Sequence, residues 1–132
     1  EHLADLIEGL GGDRRAGVCI DSCHSHAAGY DVRSIEAVNE TFDELDRIVG
    51  LDRVGCLHLN DSRDEYGSHR DRHANLGDGF IGEEGIGAFL SDPRLADVPA
   101  LLEVPGEDKD GASSVDVKKA VELREKALKA RA

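Results

Sequence analysis

A chain of 132 residues, 39% hydrophobic and 33% charged, has the composition of one globular domain and can hide roughly two-thirds of its unfolded surface. Its formal net charge of −12 argues against a nucleic-acid binder that works by counterion release alone. Three cysteines, an odd number beside so much exposed charge, argue against a disulfide framework and for a reducing, cytoplasmic compartment. No apolar run approaches the ~20 residues that span a bilayer, and the acid-bearing first residues show no signal peptide.

Leu3, Leu6, Ile7 and Leu10 recur at helical spacing, and Gly11-Gly12 stops that helix. The apolar run Ala16 to Ile20 closes on Asp21 and predicts a buried strand, with Cys19 a core residue. Irregular, glycine-containing chain is expected through Gly29. Ser34 is an N-cap for a long helix whose inner face carries Ile35, Val38, Phe42, Leu45, Ile48 and Val49. Val54 to Leu59 reads as a second strand ending in Asn60-Asp61, followed by a polar, aperiodic segment from Ser62 to Gly79. Ile86, Phe89 and Leu90 predict a short helix ended by Asp92-Pro93. Pro99 to Val104 predicts a third strand, and Val117, Val121, Leu123 and Leu128 a last helix. Order is expected to fail only around Gly106–Ser114 and at the Lys/Arg/Ala-rich end.

Strict alternation of helices with near-continuous apolar strands is the pattern of an α/β parallel sheet covered by helices. Three strands fit an open sheet or part of a (β/α)8 TIM barrel, which when complete needs about 250 residues.

Each strand ends in a metal-ligand type: Asp21, His58 and Glu103. In parallel α/β folds, functional groups collect at the C-terminal ends of strands. The loops add His24, three residues after Asp21, and the pair Asp71 and His73, which in extended chain point the same way. Three carboxylates and three imidazoles suit Zn²⁺ or Mn²⁺. Taken singly, a strand-end Asp is more often a cap and a buried His is more often satisfied by a backbone carbonyl; shared placement is what favours ligation. A zinc knuckle of Cys19, Cys23, His24 and Cys56 is disfavoured because Cys19 sits in an apolar run. Gly77 to Gly82 lacks the preceding strand and Lys-Ser/Thr of a phosphate loop and reads as a turn.

Three stretches carry a resemblance: Gly17-Val18-Cys19-Ile20-Asp21-Ser22-Cys23-His24 with Ala27-Ala28-Gly29-Tyr30-Asp31; Leu57-His58-Leu59-Asn60-Asp61-Ser62 running on to Asp71-Arg72-His73-Ala74-Asn75-Leu76-Gly77; and Pro99-Ala100-Leu101-Leu102-Glu103-Val104-Pro105. In order and spacing they resemble the endonuclease IV family. The resemblance implies the C-terminal part of a single TIM-barrel domain, about its last three strands and their helices, across residues 1–132. It implies a monomeric enzyme when whole, with three zinc ions, that hydrolyses the phosphodiester 5′ to abasic sites in double-stranded DNA. Carried over by position, Asp21, His58 and Glu103 match catalytic ligands of two metals that share an activated water. His24, Asp71 and His73 match the protein ligands of the third.

Arg72 matches a family arginine implied to face DNA phosphate, and its other reading is a pair with a neighbouring carboxylate. His26 stands where the family has an aromatic or apolar residue. The family's first-half strands supply two histidines and a bridging glutamate with no counterpart here, so the chain alone is expected to be poorly stable and nearly inactive. The rival readings are a sugar isomerase or epimerase of the xylose-isomerase-like group, which the acidic charge favours, and an inactive metal-binding half-barrel.

Overall fold

The computed structural model describes all 132 residues and follows the predicted alternation. Helix α1 (His2–Gly9) leads to β1 (Val18–Asp21), α2 (Ser22–Ala28) and α3 (Ile35–Ile48). Then come β2 (Val54–Leu59), β3 (Asp61–Ser62), β4 (His73–Ala74), α4 (Gly82–Leu90), β5 (Ala100–Leu102) and α5 (Ser114–Arg131). Strands β1, β2 and β5 form one parallel sheet in that order, an open arc that does not close into a barrel. The register sets Asp21 opposite His58 and His58 opposite Leu101, so all three strands end at one rim.

Alternation along the strands gives the sheet two unlike faces. Val54, Leu57 and Leu59 are buried on the face that helices cover. There Phe42 of α3 meets Phe89 of α4 edge to face, ring centres 5.3 Å apart, in a core that includes Val38, Ile86 and Leu123. The opposite, concave face has no helical layer. Cys19 therefore stands exposed on it, contrary to the core position its apolar neighbours predict, and Leu101 is 52% exposed. The strands are apolar on both sides, but this chain covers only one.

Three further expectations are corrected. The segment after Asp21 is not irregular: α2 starts where the Asp21 carboxylate accepts the His24 amide at 2.8 Å and stops at Gly29, whose φ of 95° suits only glycine without strain. The Lys/Arg/Ala-rich end is ordered as the last turns of α5. On that helix the buried stripe is Ala120, Leu123 and Ala127, whereas Val117, Val121 and Leu128 face outward. Small residues win because α4 lies close: a Cβ on Gly87 would stand 2.6 Å from the Leu123 carbonyl oxygen. Helix α1 forms as predicted but buries none of its residues, and Leu6 and Leu10 are exposed.

Asp92 fastens α3 to the turn after α4. Its buried carboxylate accepts the Arg94 amide at 2.9 Å and the Arg94 guanidinium at 2.9–3.0 Å, while Arg94 also reaches Asp43 at 2.5 Å. Burial alone would raise the Asp92 carboxyl, but the Arg94 side-chain and backbone hydrogen bonds outweigh it and hold it below the usual range. A depressed native value contributes stability that is present above the unfolded-state pKa of about 3.9 and lost as pH falls through the native value. Urea midpoints measured from neutral pH downward should therefore fall off in that window. Asp92→Asn should be weaker at neutral pH and show a flatter acid limb; an unchanged limb would remove Asp92 from the explanation.

Candidate metal centre

Asp21 performs two tasks with its two oxygens. Oδ1 caps α2. Oδ2 accepts the Asn60 amide at 3.0 Å and faces His58 Nδ1 at 3.6 Å and His73 Nε2 at 3.8 Å. The capping reading of this strand-end aspartate holds, and the cap leaves Oδ2 turned toward the two imidazoles. His58 Nδ1 lies 3.1 Å from Glu103 Oε2, so the three strand ends meet through one imidazole. Donor atoms of Asp21, His58 and Glu103 all lie within 4.8 Å of one another, the size of a set that one cation could gather.

The second group arrives by a route that composition did not show. The polar, aperiodic segment is folded back by an antiparallel pairing, Asp61 opposite Ala74 and Ser62 opposite His73. This folds His73 back over the rim. Its Nδ1 lies 3.1 Å from the Glu103 carbonyl oxygen, which can only accept, so Nδ1 donates and Nε2 is the nitrogen left to ligate. Nε2 sits 3.4 Å from Asp71 Oδ1, and the other Asp71 oxygen is 3.5 Å from His24 Nδ1. Asp71 thus stands between His24 and His73. All six predicted residues lie at one end of the sheet, half-buried or exposed: Asp21, His58 and Glu103 gather in one group, Asp21, Asp71 and His73 in another, and His24, 71% exposed, joins only through Asp71.

Two nearby groups are excluded. His26 is buried within α2, its Nε2 toward the Asp64 carbonyl oxygen at 3.1 Å, its ring edge to face with Tyr66, and burial depresses its pKa. Cys23, also buried, donates to the Arg72 carbonyl oxygen at 3.5 Å, and burial pushes its thiol up to about 12. The residues of the disfavoured knuckle do not gather: the Cys23 sulfur lies beside Asp21, Asp71 and His73, whereas Cys19 and Cys56 stand with His58.

Arg72 follows the carboxylate reading. It grips Asp64 bidentately, Nε to Oδ2 at 2.7 Å and Nη2 to Oδ1 at 2.5 Å, which holds the Asp64 carboxyl below its ordinary range. The Arg72 side chain is still 56% exposed.

Sequence reasoning missed Asn60. It is fully buried and touches all three strand ends. Its Nδ2 donates to Asp21, its Oδ1 accepts the Glu103 amide at 2.9 Å, and its own amide donates to Ser22 Oγ at 2.9 Å. The signal was its place directly after β2, where a short amide can span the neighbouring chain ends. Asp61, equally buried, was also missed; its carboxylate takes backbone amides from the turn before α4.

Comparison with known proteins bears on this arrangement. The chain is 53% identical over 109 residues to the probable endonuclease 4 of Chloroflexus aurantiacus, a match covering 82% of this chain and 38% of that protein. It is 42% identical over 118 residues to the probable endonuclease 4 of Geotalea daltonii, covering 89% of this chain and 41% of that one. The crystal structure of endonuclease IV from Thermus thermophilus superposes with a TM-score of 0.77 at 41% identity, over 95% of this chain and 44% of the other. The chain therefore spans about two fifths of the length of the curated relatives it matches. The family model for xylose isomerase-like TIM barrels matches residues 1–128, and the chain belongs to that family, with endonuclease IV proteins among its relatives.

Proposed function

We propose that this chain is the C-terminal, metal-ligating part of a single-barrel apurinic/apyrimidinic endonuclease, a cytoplasmic enzyme of base excision repair that is monomeric when whole. It would hydrolyse the phosphodiester 5′ to abasic sites in double-stranded DNA and leave a 3′-hydroxyl. The observation that carries this reading is the convergence of Asp21, His24, His58, Asp71, His73 and Glu103 on one rim. The relatives' names, endonucleases, support a nuclease; the abasic site comes from the resemblance of the three motifs to the endonuclease IV family.

Mixed imidazole and carboxylate donors fit Zn²⁺, with Mn²⁺ able to take the same set; three ions are expected in the whole enzyme. Asp21, His58 and Glu103 would hold the ions nearest the reacting phosphate, and His24, Asp71 and His73 a third. Such cations lower the pKa of an attacking water and offset charge that gathers on phosphoryl oxygens. The chain's own residues set the geometry. The protonated Nδ1 of His73 aims Nε2 inward, and Asn60 fixes the spacing of Asp21 and Glu103.

The net charge of −12 opposes DNA binding only at long range. Locally, bound cations would neutralise the rim, and the loop beside it presents exposed Arg63, Arg70 and Arg72. Arg72, held in place by Asp64, is the proposed phosphate contact.

Metal content of the purified chain by plasma mass spectrometry tests the centre; about one tightly held zinc per chain is expected from the His24–Asp71–His73 group. A folded chain without zinc would refute the ligand assignment. Incision of a duplex with one abasic site, by a form carrying the whole barrel, tests the reaction. Turnover of a keto-sugar without incision would favour the isomerase reading instead.

A further inference from the structure

The loop that carries Arg72 is docked on α2 by contacts that the metal centre does not explain. The last carbonyls of α2 take loop amides: the Gly67 N–H donates to the His26 carbonyl at 3.0 Å, and the His69 N–H to the Ala27 carbonyl at 2.9 Å. The Tyr66 hydroxyl donates to the Gly29 carbonyl at 2.6 Å. His69 takes a left-handed φ of 58°, which costs a residue other than glycine energy unless its surroundings hold it. Helix and loop both belong to this chain, so the docking is complete within it.

His26 is the buried centre of that contact. Its ring meets Tyr66 edge to face, and Nε2 lies 3.1 Å from the Asp64 carbonyl oxygen. That oxygen can only accept, so Nε2 donates and Nδ1 is left a bare acceptor, buried and without a partner. An unpaired buried acceptor costs stability, so a phenyl ring would serve the fold better. What the imidazole adds is its hold on Asp64. The Asp64 carboxylate in turn engages Nε and Nη2 of Arg72, and Nη1 stays available on a side chain that is 56% exposed.

We propose that His26 is a positioning residue for Arg72: acting through Asp64, it sets where the guanidinium stands to meet a DNA phosphate. The inference rests on the reading of Arg72 as the phosphate contact.

The test is binding and incision of an abasic duplex by a form carrying the whole barrel, with His26→Phe, Arg72→Ala and the double variant. His26→Phe keeps a ring against Tyr66 and removes only the hydrogen bond. It should melt at or above the parent temperature and hold the parent zinc content. Its KM should rise about three- to ten-fold while kcat stays within about two-fold. Arg72→Ala should lower the slope of log affinity against log salt by about 0.9, and the double variant should bind no more weakly than Arg72→Ala. On the present chain, nitrogen-15 shifts of the His26 ring should show Nε2 protonated and Nδ1 bare. A parent KM in His26→Phe, additive losses in the double variant, a lower melting temperature or a proton on Nδ1 would each overturn the proposal. Lost zinc would overturn it too, by placing the effect on His24. The two readings fail separately. Parent affinity in Arg72→Ala would refute the phosphate contact and the proposal with it. Weakened Arg72→Ala beside an unchanged His26→Phe would refute the positioning role alone.

Discussion

Asp61→Ala is expected to unfold most of the chain. The carboxylate is completely buried and acts as a knot for backbone amides: Oδ1 accepts from Ser62 at 2.8 Å and Ile81 at 2.9 Å, and Oδ2 accepts from Gly77 at 3.0 Å and Gly82 at 3.2 Å. Three of those donors belong to the turn that launches α4. Removing the acceptor strands buried N–H groups at about 1–3 kcal/mol each, so a total of about 3–5 kcal/mol is reasonable after relaxation. Native domains hold only about 5–15 kcal/mol in all. Asp61→Asn keeps the shape but turns one acceptor into a donor that faces donors, and should cost about 1–3 kcal/mol. Gly79→Ala strikes the same knot sterically, because a Cβ there would collide with the Ser62 carbonyl and the Asp61 carboxylate; about 1–3 kcal/mol is expected. Urea melts of the three variants against the parent check the order. An Asp61→Ala midpoint near the parent's would mean the turn is held by packing alone.

The knot explains why this part of the molecule was illegible in the sequence. Asp61 follows a strand and looks like a polar stop, and its partners lie 16 to 21 residues away in a segment with no periodicity. Side-chain-to-backbone bonding of this range leaves no local pattern to read. Helix α2 was missed for a related reason. Ser22 to Ala28 has no apolar stripe, and the helix exists because Asp21 caps its start and Gly29 permits its stop. By contrast, α3 was legible because Val38 and Phe42 sit on one face beneath a Ser34 cap, and the strands because their apolar runs are short and bounded.

Misjudged burial has one physical source. Apolar periodicity says that a face wants cover, not that this chain supplies it. Cys19, Leu101 and the α1 leucines lie on faces that the open arc leaves bare. On α5 the error runs the other way: alanines outcompete valines for the interface because Gly87 lets the helices approach closely. The six rim donors were legible because parallel strands deliver their ends to one place whatever covers their faces. Asn60 was not, since an amide that spans three chain ends resembles any turn asparagine until the ends are seen together.

That distinction between donors and the group that spaces them gives the second large effect. His73→Ala deletes the donor whose Nε2 lies between Asp71 at 3.4 Å and Asp21 at 3.8 Å, and the chain is expected to stop retaining zinc through dialysis. Asn60→Ala leaves all six donors in place. It frees Asp21 from the 3.0 Å amide bond and strands the Glu103 amide, so the two carboxyl-bearing ends lose their common brace. Zinc should still bind at the parent stoichiometry but about 10–100-fold more weakly, the usual penalty for losing a group that orients ligands. Competition against a chromophoric chelator measures both variants on one scale. If Asn60→Ala binds as tightly as the parent, strand register alone positions the rim and the asparagine serves the fold. If it falls as far as His73→Ala, the spacing of Asp21 and Glu103 matters as much as a ligand, and the cation must be held between the strand ends rather than on the loop.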